Sequence, residues 1–530
     1  MPGRSPRREL LGRDFANFSL SRHFSIPGKA YIIERANFAG AKGGGGVDIE
    51  LAGGAGRPLY LQLRDQLRAR LLSGAAAPGS RLPSAREMAA LLHVSRNTVF
   101  EAYRMLEEEG LVRIVAGQGA FAAPRRAQEA APAGPRLPWD DLVCAQARAY
   151  AHFREHEGRV DLGNRQVISF SSLAPDYHAF ENDAFRRALN TVMTNEGSVL
   201  LAYGYTRGYE PFRAFVRDYL VGKGLRMDGQ EILITNGFRQ AAGLVVETLV
   251  SPGDAVAVEA PTYNGFLGIL RARGARALPV DCDGEGVRLA DLARALDAGA
   301  RLVYLIPTYH NPTGRNMSLQ RRQEVLALCR ARGVPLLEDG FNEELRFRGE
   351  CHPAIKALAG SEDVIYAGSF SKVLFPGLRV GWVAAPAALT RYLVHEKYNQ
   401  DIHTPPLLQA ALRQYCLDGS LDRHIKRVRG LYRERLDALY DALERRFSGR
   451  AKWEKVEGGF SAWLEFPEGI DLREGLAGAR DRGVLYAPGD AFYPDGRGRS
   501  CMRLGFSRLE PGQIARGIDI LSDYINSLGG

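Results

Sequence analysis

The stretch Ser369-Phe370-Ser371-Lys372, followed by Pro376-Gly377-Leu378-Arg379, decides how most of this chain is interpreted. It places an amine, two hydroxyls and a guanidinium in one turn-rich segment. An amine can form a Schiff base with an aldehyde, while hydroxyls and a guanidinium can hold a phosphate. The segment therefore predicts a site for a cofactor that carries an aldehyde and a phosphate. A lone lysine is otherwise most often a solvated surface residue.

Short runs of aliphatic and β-branched residues surround this segment, and longer helical patterns separate them. Such near-continuous apolar runs are typical of a mostly parallel sheet with helices on both faces. We therefore expect an α/β domain over residues 159–530, with a smaller C-terminal α/β subdomain from about residue 411. The runs are 232–235, 255–258, 302–306 and 364–366.

Polar and aromatic residues follow the ends of these predicted strands, where open α/β sheets place their ligands. Gly237, Phe238 and Arg239 open a helix, whose N-terminal amides suit a phosphate. Tyr263 offers a ring that could stack on a planar cofactor, although a packing tyrosine explains it equally well. Taken singly, each is a weak signal.

Two further candidates come later in the chain. Asn311 precedes a proline, which favours an extended backbone and could aim the amide at a phenolic oxygen. Asp339 ends an apolar strand, and its carboxylate could pair with a protonated pyridinium nitrogen. An ordinary Asn-Pro turn and a helix cap are the alternatives for these two residues.

The region 57–123 predicts a small helical domain. Leucine recurs every fourth residue from Leu59 to Leu71, which is typical of an amphipathic helix. Ser84 and Glu87 form a capping-box pattern that opens a second helix. Ser95 caps a third helix, which exposes Arg96 and Asn97 near its N-terminus.

Two helices joined by a tight turn, with Arg and Asn exposed on the second, have the form of a helix-turn-helix. These side chains can bond bidentately to guanine and adenine edges. A hairpin pattern around Gly119 predicts a wing. Three-helix domains without nucleic acid are common, so the helical pattern alone leaves both interpretations open.

Four strings make the interpretation specific, because together they resemble the GntR winged helix-turn-helix. The resemblance implies that Arg86 and Arg96 contact DNA, with Ser95, Asn97 and Thr98 beside them and Gly119 in the wing. The strings are Pro58-Leu59-Tyr60-Leu61-Gln62-Leu63, Leu82-Pro83-Ser84-Ala85-Arg86-Glu87, Val94-Ser95-Arg96-Asn97-Thr98-Val99 and Leu106-Glu107-Glu108-Glu109-Gly110-Leu111.

The larger region resembles the fold-type I aminotransferases, which use pyridoxal 5′-phosphate. The resemblance rests on the order Gly237, Tyr263, Asn311, Asp339, Lys372, Arg379 and then Met502-Arg503-Leu504-Gly505-Phe506. It implies that Lys372 and Asp339 are the catalytic residues. Lys372 would form the Schiff base, and Asp339 would pair with the pyridinium nitrogen. Asn311 would bond the ring hydroxyl, and Tyr263 would stack on the ring.

The same resemblance assigns the phosphate and carboxylate ligands. Ser369, Ser371 and Arg379 would hold the phosphate with the turn at 237–239, and Tyr203 would reach a phosphate in the partner subunit. Arg503 would clamp an effector carboxylate, a bidentate task that suits a guanidinium.

The two halves in one chain resemble the MocR (also GabR or PdxR) bacterial regulators. This implies a cytoplasmic transcription regulator that binds pyridoxal phosphate, double-stranded DNA and an amino-acid-like effector. It also implies a homodimer, with a head-to-tail domain swap as one possible arrangement. The alternatives are an active aminotransferase whose helix-turn-helix is autoregulatory or vestigial, and a cofactor-free dimerisation scaffold.

Three positions depart from the family pattern. Phe341 stands where a tyrosine two positions after the aspartate is usual, so one hydroxyl near the cofactor is missing. Asn311 belongs to a string closer to true aminotransferases than to the regulators, which keeps transamination open. After Tyr263 come Asn264 and Gly265 rather than an arginine, so no second anion clamp is predicted there.

Bulk composition is consistent with these assignments. The 530 residues require at least two domains, and 45% hydrophobic with 25% charged residues is typical of a soluble globular protein. Six scattered cysteines have neither disulfide nor metal-ligand spacing, so no metal is expected. No apolar run reaches about 18 residues, so no membrane span is expected.

The segments outside the two predicted domains differ in composition. Residues 1–56 form a basic, Gly-rich arm that we expect to be disordered, and it contributes to the net charge of +9. Residues 124–158 are rich in proline and alanine, which is typical of a semi-rigid linker.

Overall fold

The computed structural model describes residues 57–74, 76–124, 167–360 and 363–528, with the short pieces 33–34, 49, 51–52, 137, 139–144 and 147–148. The chain divides into two compact units, Met1–Pro138 and Trp139–Gly530. Most of the predicted arm and of the predicted linker lie outside the described residues, so their predicted character stays a prediction.

The first unit is a three-helix domain with a β-hairpin. The pattern of leucines at every fourth position forms α1, whose buried face packs on α3. The described elements are β1 (Ile33–Glu34), β2 (Leu51–Ala52), α1 (Leu59–Ser73), α2 (Ala85–Leu91), α3 (Arg96–Glu108), β3 (Val112–Val115) and β4 (Gly119–Ala122).

Local sequence explains where α2 and α3 begin. The Ser84 hydroxyl accepts a hydrogen bond from the Glu87 amide at 3.2 Å, and the Glu87 carboxylate accepts one from the Ser84 amide at 2.7 Å. Ser95 caps α3 by accepting from the Thr98 amide at 3.1 Å. The antiparallel pair β3–β4 forms the predicted wing. The winged helix-turn-helix architecture is therefore confirmed.

The packed core of this unit includes residues on the N-terminal side of Arg57. Ile49 and Leu51 are buried with the apolar faces of the three helices. The Gln62 side chain accepts from the Ala52 amide at 3.0 Å and donates to the Ala52 carbonyl at 3.1 Å. This end of the predicted arm is thus part of the folded domain.

The second unit is built on an eight-stranded sheet in the order β6-β13-β12-β11-β10-β7-β8-β9. Its strands from β12 to β8 in that order are parallel, as predicted, while β13 is antiparallel to both neighbours. The strands of this unit are β5 (Ile168–Ser169), β6 (Gln230–Thr235), β7 (Ala255–Ala260), β8 (Arg276–Asp283), β9 (Gly286–Val287), β10 (Ala300–Leu305), β11 (Leu336–Asp339), β12 (Val364–Ser369), β13 (Gly381–Pro386), β14 (Lys452–Trp453), β15 (Ser461–Glu465), β16 (Val484–Leu485), β17 (Ala487–Pro488) and β18 (Cys501–Gly505).

Helices cover both faces of this sheet. Successive strand residues point to opposite sides, and the residues on both sides are apolar, so each face packs against helices. Leu233 of β6 packs in one apolar cluster, while Ile232 and Ile234 pack in another. The described helices are α4 (Trp139–Leu142), α5 (Asn182–Leu200), α6 (Glu210–Gly222), α7 (Phe238–Leu249), α8 (Asn264–Arg273), α9 (Leu289–Asp297), α10 (Leu319–Arg332), α11 (Ile355–Ala359), α12 (Ala387–Asp401), α13 (Pro406–Leu417), α14 (Ser420–Phe447), α15 (Leu476–Asp481) and α16 (Pro511–Asn526).

A smaller four-stranded sheet, β14-β15-β18-β17, forms the C-terminal part with α14 and α16. Leu412 and Tyr415 of α13 still pack with the large sheet, and the C-terminal core begins at Val428. The subdomain start that we predicted near residue 411 therefore falls in a helix of the large part. Phe170, far away in sequence, is buried in the C-terminal core.

Topology places the candidate residues together. The loop that joins antiparallel neighbours β12 and β13 carries Lys372 and Arg379, and the adjacent strand β11 ends at Asp339. Among the described helices, none is both long and apolar enough to cross a membrane.

Candidate functional site

Lys372 lies half-buried just after β12. Its amine donates a hydrogen bond to the Leu173 carbonyl. Burial and the nearby Arg503 guanidinium lower the pKa of Lys372 from its usual value to about 8, although Asp339 opposes the shift. At neutral pH an appreciable fraction of this amine is therefore uncharged and nucleophilic, which an ordinary lysine is not.

Asp339 is buried at the end of β11. Its Oδ2 accepts a hydrogen bond from the Tyr304 hydroxyl at 2.8 Å, whereas its Oδ1 is buried with no hydrogen-bond partner among the described residues. Burial raises the pKa of Asp339 well above its usual value, because a charged carboxylate is costly in this environment, although the hydrogen bond from Tyr304 opposes the shift. A positively charged N–H donor at Oδ1 would relieve that cost.

Tyr304 was not recognised in the sequence, where it belongs to an apolar strand. Its ring stacks on Phe266 with centroids 3.7 Å apart, and its hydroxyl orients Asp339. Buried tyrosines usually place their hydroxyl on a partner, so a tyrosine within a buried strand was the signal available. Tyr263 and Phe238 continue this aromatic group, with ring centroids 6.3 Å apart.

Phe341 is buried in the same apolar cluster as Tyr304. The position where the family pattern expects a tyrosine hydroxyl is thus part of the hydrophobic core. Losing one neutral hydrogen bond costs about 0.5–1.5 kcal/mol, which is too little to prevent cofactor binding.

Arg503 and Asn311 are paired, although they lie on different subdomains. The Arg503 Nη1 donates to the Asn311 Oδ1 at 3.0 Å, and Nη2 donates to the Ser171 carbonyl at 2.8 Å. The guanidinium also stacks over the Phe492 ring at 4.8 Å. Burial lowers the pKa of Arg503 to about 10, so the group stays charged at neutral pH.

The turn before α7 and the Arg379 side chain form a cup. Gly237 has φ 81°, and a β-carbon there would lie 2.8 Å from an Arg379 guanidinium nitrogen. Arg379 also donates to the Asn236 carbonyl at 2.7 Å. Only glycine leaves room for a charged group to approach this turn.

The two serines of the lysine segment differ. Ser369 donates to the Val380 carbonyl at 3.0 Å and accepts from the Ser371 amide at 3.1 Å, so its hydroxyl holds the loop together. The Ser371 hydroxyl is buried with no partner among the described residues. Of the two, Ser371 is the one with a hydroxyl available for a phosphate.

Two other predicted phosphate ligands lie towards the surface. Arg239 lines an open groove with Asn236 and Gln240, beside Arg379. Tyr203 is 87% exposed, and its ring lies 5.9 Å from that of His403. Its role in the partner subunit stays a prediction.

Four of the six predicted DNA-contacting residues are exposed on the first unit. Arg96, Asn97 and Ser95 are exposed at the start of α3, and Arg86 is exposed on α2. Thr98 is half-buried and shares a 2.9 Å hydrogen bond with the Ser95 hydroxyl.

Two further residues are exposed on the same helix. Arg104, further along α3, forms ion pairs with Glu101 and Glu108. Phe100, which the sequence did not single out, is 52% exposed on the same helix. Gly119 begins strand β4 with φ 113°.

No group of three or more His, Cys, Asp or Glu residues in the described part of the chain could hold a metal ion. The cysteines there are all free.

Comparison with known proteins identifies the same two domains. Residues 165–520 match the family "Aminotransferase class I and II", and residues 59–122 match "Bacterial regulatory proteins, gntR family". The chain is 31% identical to the HTH-type transcriptional regulator TauR of Rhodobacter capsulatus, over 88% of this chain and 96% of that protein. It is 35% identical to the 2-aminoadipate transaminase of Thermus thermophilus, over 68% of this chain and 91% of that protein.

Among solved structures, LysN, the α-aminoadipate aminotransferase of Thermus thermophilus, is similar with a TM-score of 0.67 and 32% identity. The match covers 74% of this chain and 99% of that one, and that structure holds N-(5′-phosphopyridoxyl)-L-leucine. Fold and site thus define a fold-type I, pyridoxal-phosphate-dependent domain that follows a gntR-type DNA-binding domain in the chain.

The chain belongs to the MocR family of HTH-type transcription regulators. Its residues fit pyridoxal 5′-phosphate: Asp339 has a buried oxygen without a partner, Ser371 has a hydroxyl without one, and Gly237 leaves a cup beside Arg379.

Proposed function

We propose that this protein is a transcription regulator that reads DNA with α3 and senses an amino compound through pyridoxal phosphate held at Lys372. The observation that carries the proposal is the coexistence of two sites on one chain. One is the exposed Arg96–Asn97 face, and the other is the half-buried Lys372 amine near Asp339 and Arg503. A regulator of bacterial genes works beside the chromosome, so we place it in the cytoplasm.

The residues of the second unit would hold the cofactor at both ends. Pyridoxal phosphate supplies an aldehyde that captures amines and a ring that withdraws electrons. Asp339 Oδ1 would accept from the ring nitrogen, and Asn311 would bond the ring oxygen. Arg379, Ser371 and the amides that follow Gly237 would hold the phosphate, since helix N-termini favour anions.

Arg503 indicates which chemical class of effector the site would bind. Its guanidinium is fixed by the Asn311 side chain and the Ser171 carbonyl, so its direction is set before a ligand arrives. Guanidinium groups bind carboxylates through two parallel hydrogen bonds. We therefore expect the effector to be a primary amine that also carries a carboxylate.

Tyr203 supports a homodimer, and a head-to-tail domain swap is one arrangement of it. Val199, Leu201 and Tyr205 lie beside it and are 69–82% exposed, which places an apolar stretch on the surface of a single chain. Such a stretch is typical of an interface. In a dimer, the Tyr203 hydroxyl would reach the phosphate of the partner subunit.

Sensing requires two conformations with different affinities for the effector, because equal affinity shifts nothing. Arg503 lies on β18 of the smaller sheet, and Lys372 follows β12 of the large one. An effector that bonds both to Arg503 and to the cofactor at Lys372 would favour one arrangement of the two subdomains. That arrangement would then determine how the dimer presents its two α3 helices.

The test uses the full-length protein loaded with pyridoxal phosphate. Borohydride reduction followed by peptide mass mapping is expected to place the cofactor on Lys372, and the exposed Lys426→Ala variant is expected to behave as wild type. In parallel, selection from a randomised DNA pool is expected to yield one sequence. Covalent attachment at another lysine, or no selected sequence, would contradict the proposal.

An active aminotransferase is the competing function, and the same sample distinguishes it. Incubation with an amino-acid panel and a keto acid is expected to give a single spectral change without sustained product formation. Continuous turnover at the rates typical of enzymes, about 1–1000 per second, would contradict the sensor role.

A further inference from the structure

Phe100 is an exposed aromatic residue on the helix that carries Arg96 and Asn97. Phe100 is 52% exposed, whereas the apolar residues next to it on α3, Val99 and Tyr103, are buried. Single exposed apolar residues are common on protein surfaces. The position of this one, three and four residues after Asn97 and Arg96, places it on the face that those two residues share.

The next turn of the helix differs in chemistry. Arg104 is held by Glu101 at 2.9 Å and by Glu108, so its charge is balanced by acids. These carboxylates would meet phosphate groups unfavourably. The part of α3 that suits a DNA groove therefore runs from the Ser95 cap to Phe100.

The chemistry of the major groove limits what Phe100 can contact. Base edges there offer hydrogen-bond donors and acceptors, which a phenyl ring does not satisfy. The one apolar group is the C5 methyl of thymine, and phenylalanine is among the side chains that contact it. Burying the ring against that methyl removes apolar surface from water, which is favourable.

The helix rise sets the register. Four residues at about 1.5 Å each separate Phe100 from Arg96 by about 6 Å along the axis, and stacked bases are about 3.4 Å apart. For a recognition helix that lies along the major groove, a contact by Phe100 therefore falls one or two base pairs from the contact by Arg96.

We propose that Phe100 is a specificity-determining residue that reads the C5 methyl of a thymine one or two base pairs from the base contacted by Arg96. This inference rests on the proposed DNA-reading function and adds a defined base to it. The contact selects thymine over cytosine, which lacks the methyl group.

The test uses full-length protein with bound cofactor and the duplex that the wild-type protein selects from a randomised pool. Each thymine of that duplex is replaced in turn by deoxyuridine, which removes only the C5 methyl. Dissociation constants are measured for the wild type, Phe100→Ala, Phe100→Leu and Leu72→Ala. Leu72 is the matched control, because it is 38% exposed on α1 of the same unit.

The expected result is one thymine per half-site whose replacement weakens wild-type binding roughly fourfold, the value for one buried methyl group. Phe100→Ala is expected to bind both duplexes equally, while Phe100→Leu and Leu72→Ala keep the preference. Equal losses in wild type and Phe100→Ala at every thymine, or no loss at any, would overturn the inference. A wild type that selects no sequence would instead overturn the DNA-reading function itself.

Discussion

The two sites of this protein hold similar polar side chains in opposite environments. Arg96 and Asn97 are exposed to solvent on α3, whereas Arg503 and Asn311 are buried and bonded to each other. Charges near water interact weakly and are screened by salt, while buried charges are strong and costly to leave unpaired. The exposed site is suited to a long polyanion, and the enclosed site to a small ligand with fixed contacts.

This contrast determines how each site responds to change. Removing an exposed side chain from α3 deletes only the contact that it made. Removing a buried one leaves its partner desolvated and unsatisfied, which adds a penalty of its own. Substitutions of the same type should therefore cost more in the cofactor site than on the DNA-binding face.

The largest effect is expected for Asp339→Asn. The amide keeps the shape but not the charge that would pair with the cofactor ring, and losing one partner of a buried charged pair costs about 2–5 kcal/mol. Cofactor affinity, measured by absorbance titration of the apo-protein, should fall at least about thirtyfold. Asp218→Asn, at an exposed position of α6, should bind cofactor as wild type does. An unchanged affinity for Asp339→Asn would contradict the role of this carboxylate.

A smaller loss is expected for Asn97→Ala on the exposed face. A bidentate contact with a base contributes about 1–3 kcal/mol of discrimination. Affinity for the selected duplex should fall about 5- to 150-fold, and affinity for random DNA should change little. Gel-shift titrations measure both, with the exposed Asn190→Ala in α5 as control. An equal loss on both DNAs would show a phosphate contact instead.

A tenfold effect is expected from pH at Lys372. Because its pKa is lowered to about 8, the neutral amine makes up about a tenth of the population at pH 7 and most of it above pH 9. The rate of cofactor uptake by apo-protein should rise about tenfold as the pH increases from 7 to 9 and then level off. A rate that continues to climb beyond pH 10 would indicate an ordinary lysine.

The smallest effect is expected for Ser84→Ala. Loss of the N-cap of α2 destabilises a helix by about 1 kcal/mol. Hydrogen exchange of the α2 amides in the full chain should become about fivefold faster, while the amides of β6 keep their rate. Unchanged exchange in α2 would mean that packing of Met88 and its neighbours, and not the cap, sets the local stability.

Short sequence patterns correctly predicted the features that depend on residues close together in the chain, such as where helices begin and which helix face is buried. The helix caps at Ser84 and Ser95 and the leucine spacing of α1 correctly indicated the helices. The order of residues at strand ends predicted the cluster around Lys372, because parallel strands end at one edge of the sheet.

Contacts between distant segments were not predictable in this way. The Tyr304 hydroxyl on Asp339 and the Ser171 carbonyl on Arg503 depend on how separate strands and loops meet. The exposure of Phe100 depends on which side of α3 faces the core. Ile49 was assigned to an arm because glycines precede it, although its side chain completes an apolar core.

The most direct test of the account is coupling between the two sites. The affinity of the full-length, cofactor-loaded protein for its selected duplex should change severalfold when a saturating amino acid that binds the site is added. Lys372→Ala should bind the duplex without any such change, since it has no amine to exchange. If the amino acid alters DNA affinity equally in both proteins, or in neither, Lys372 is not the sensor.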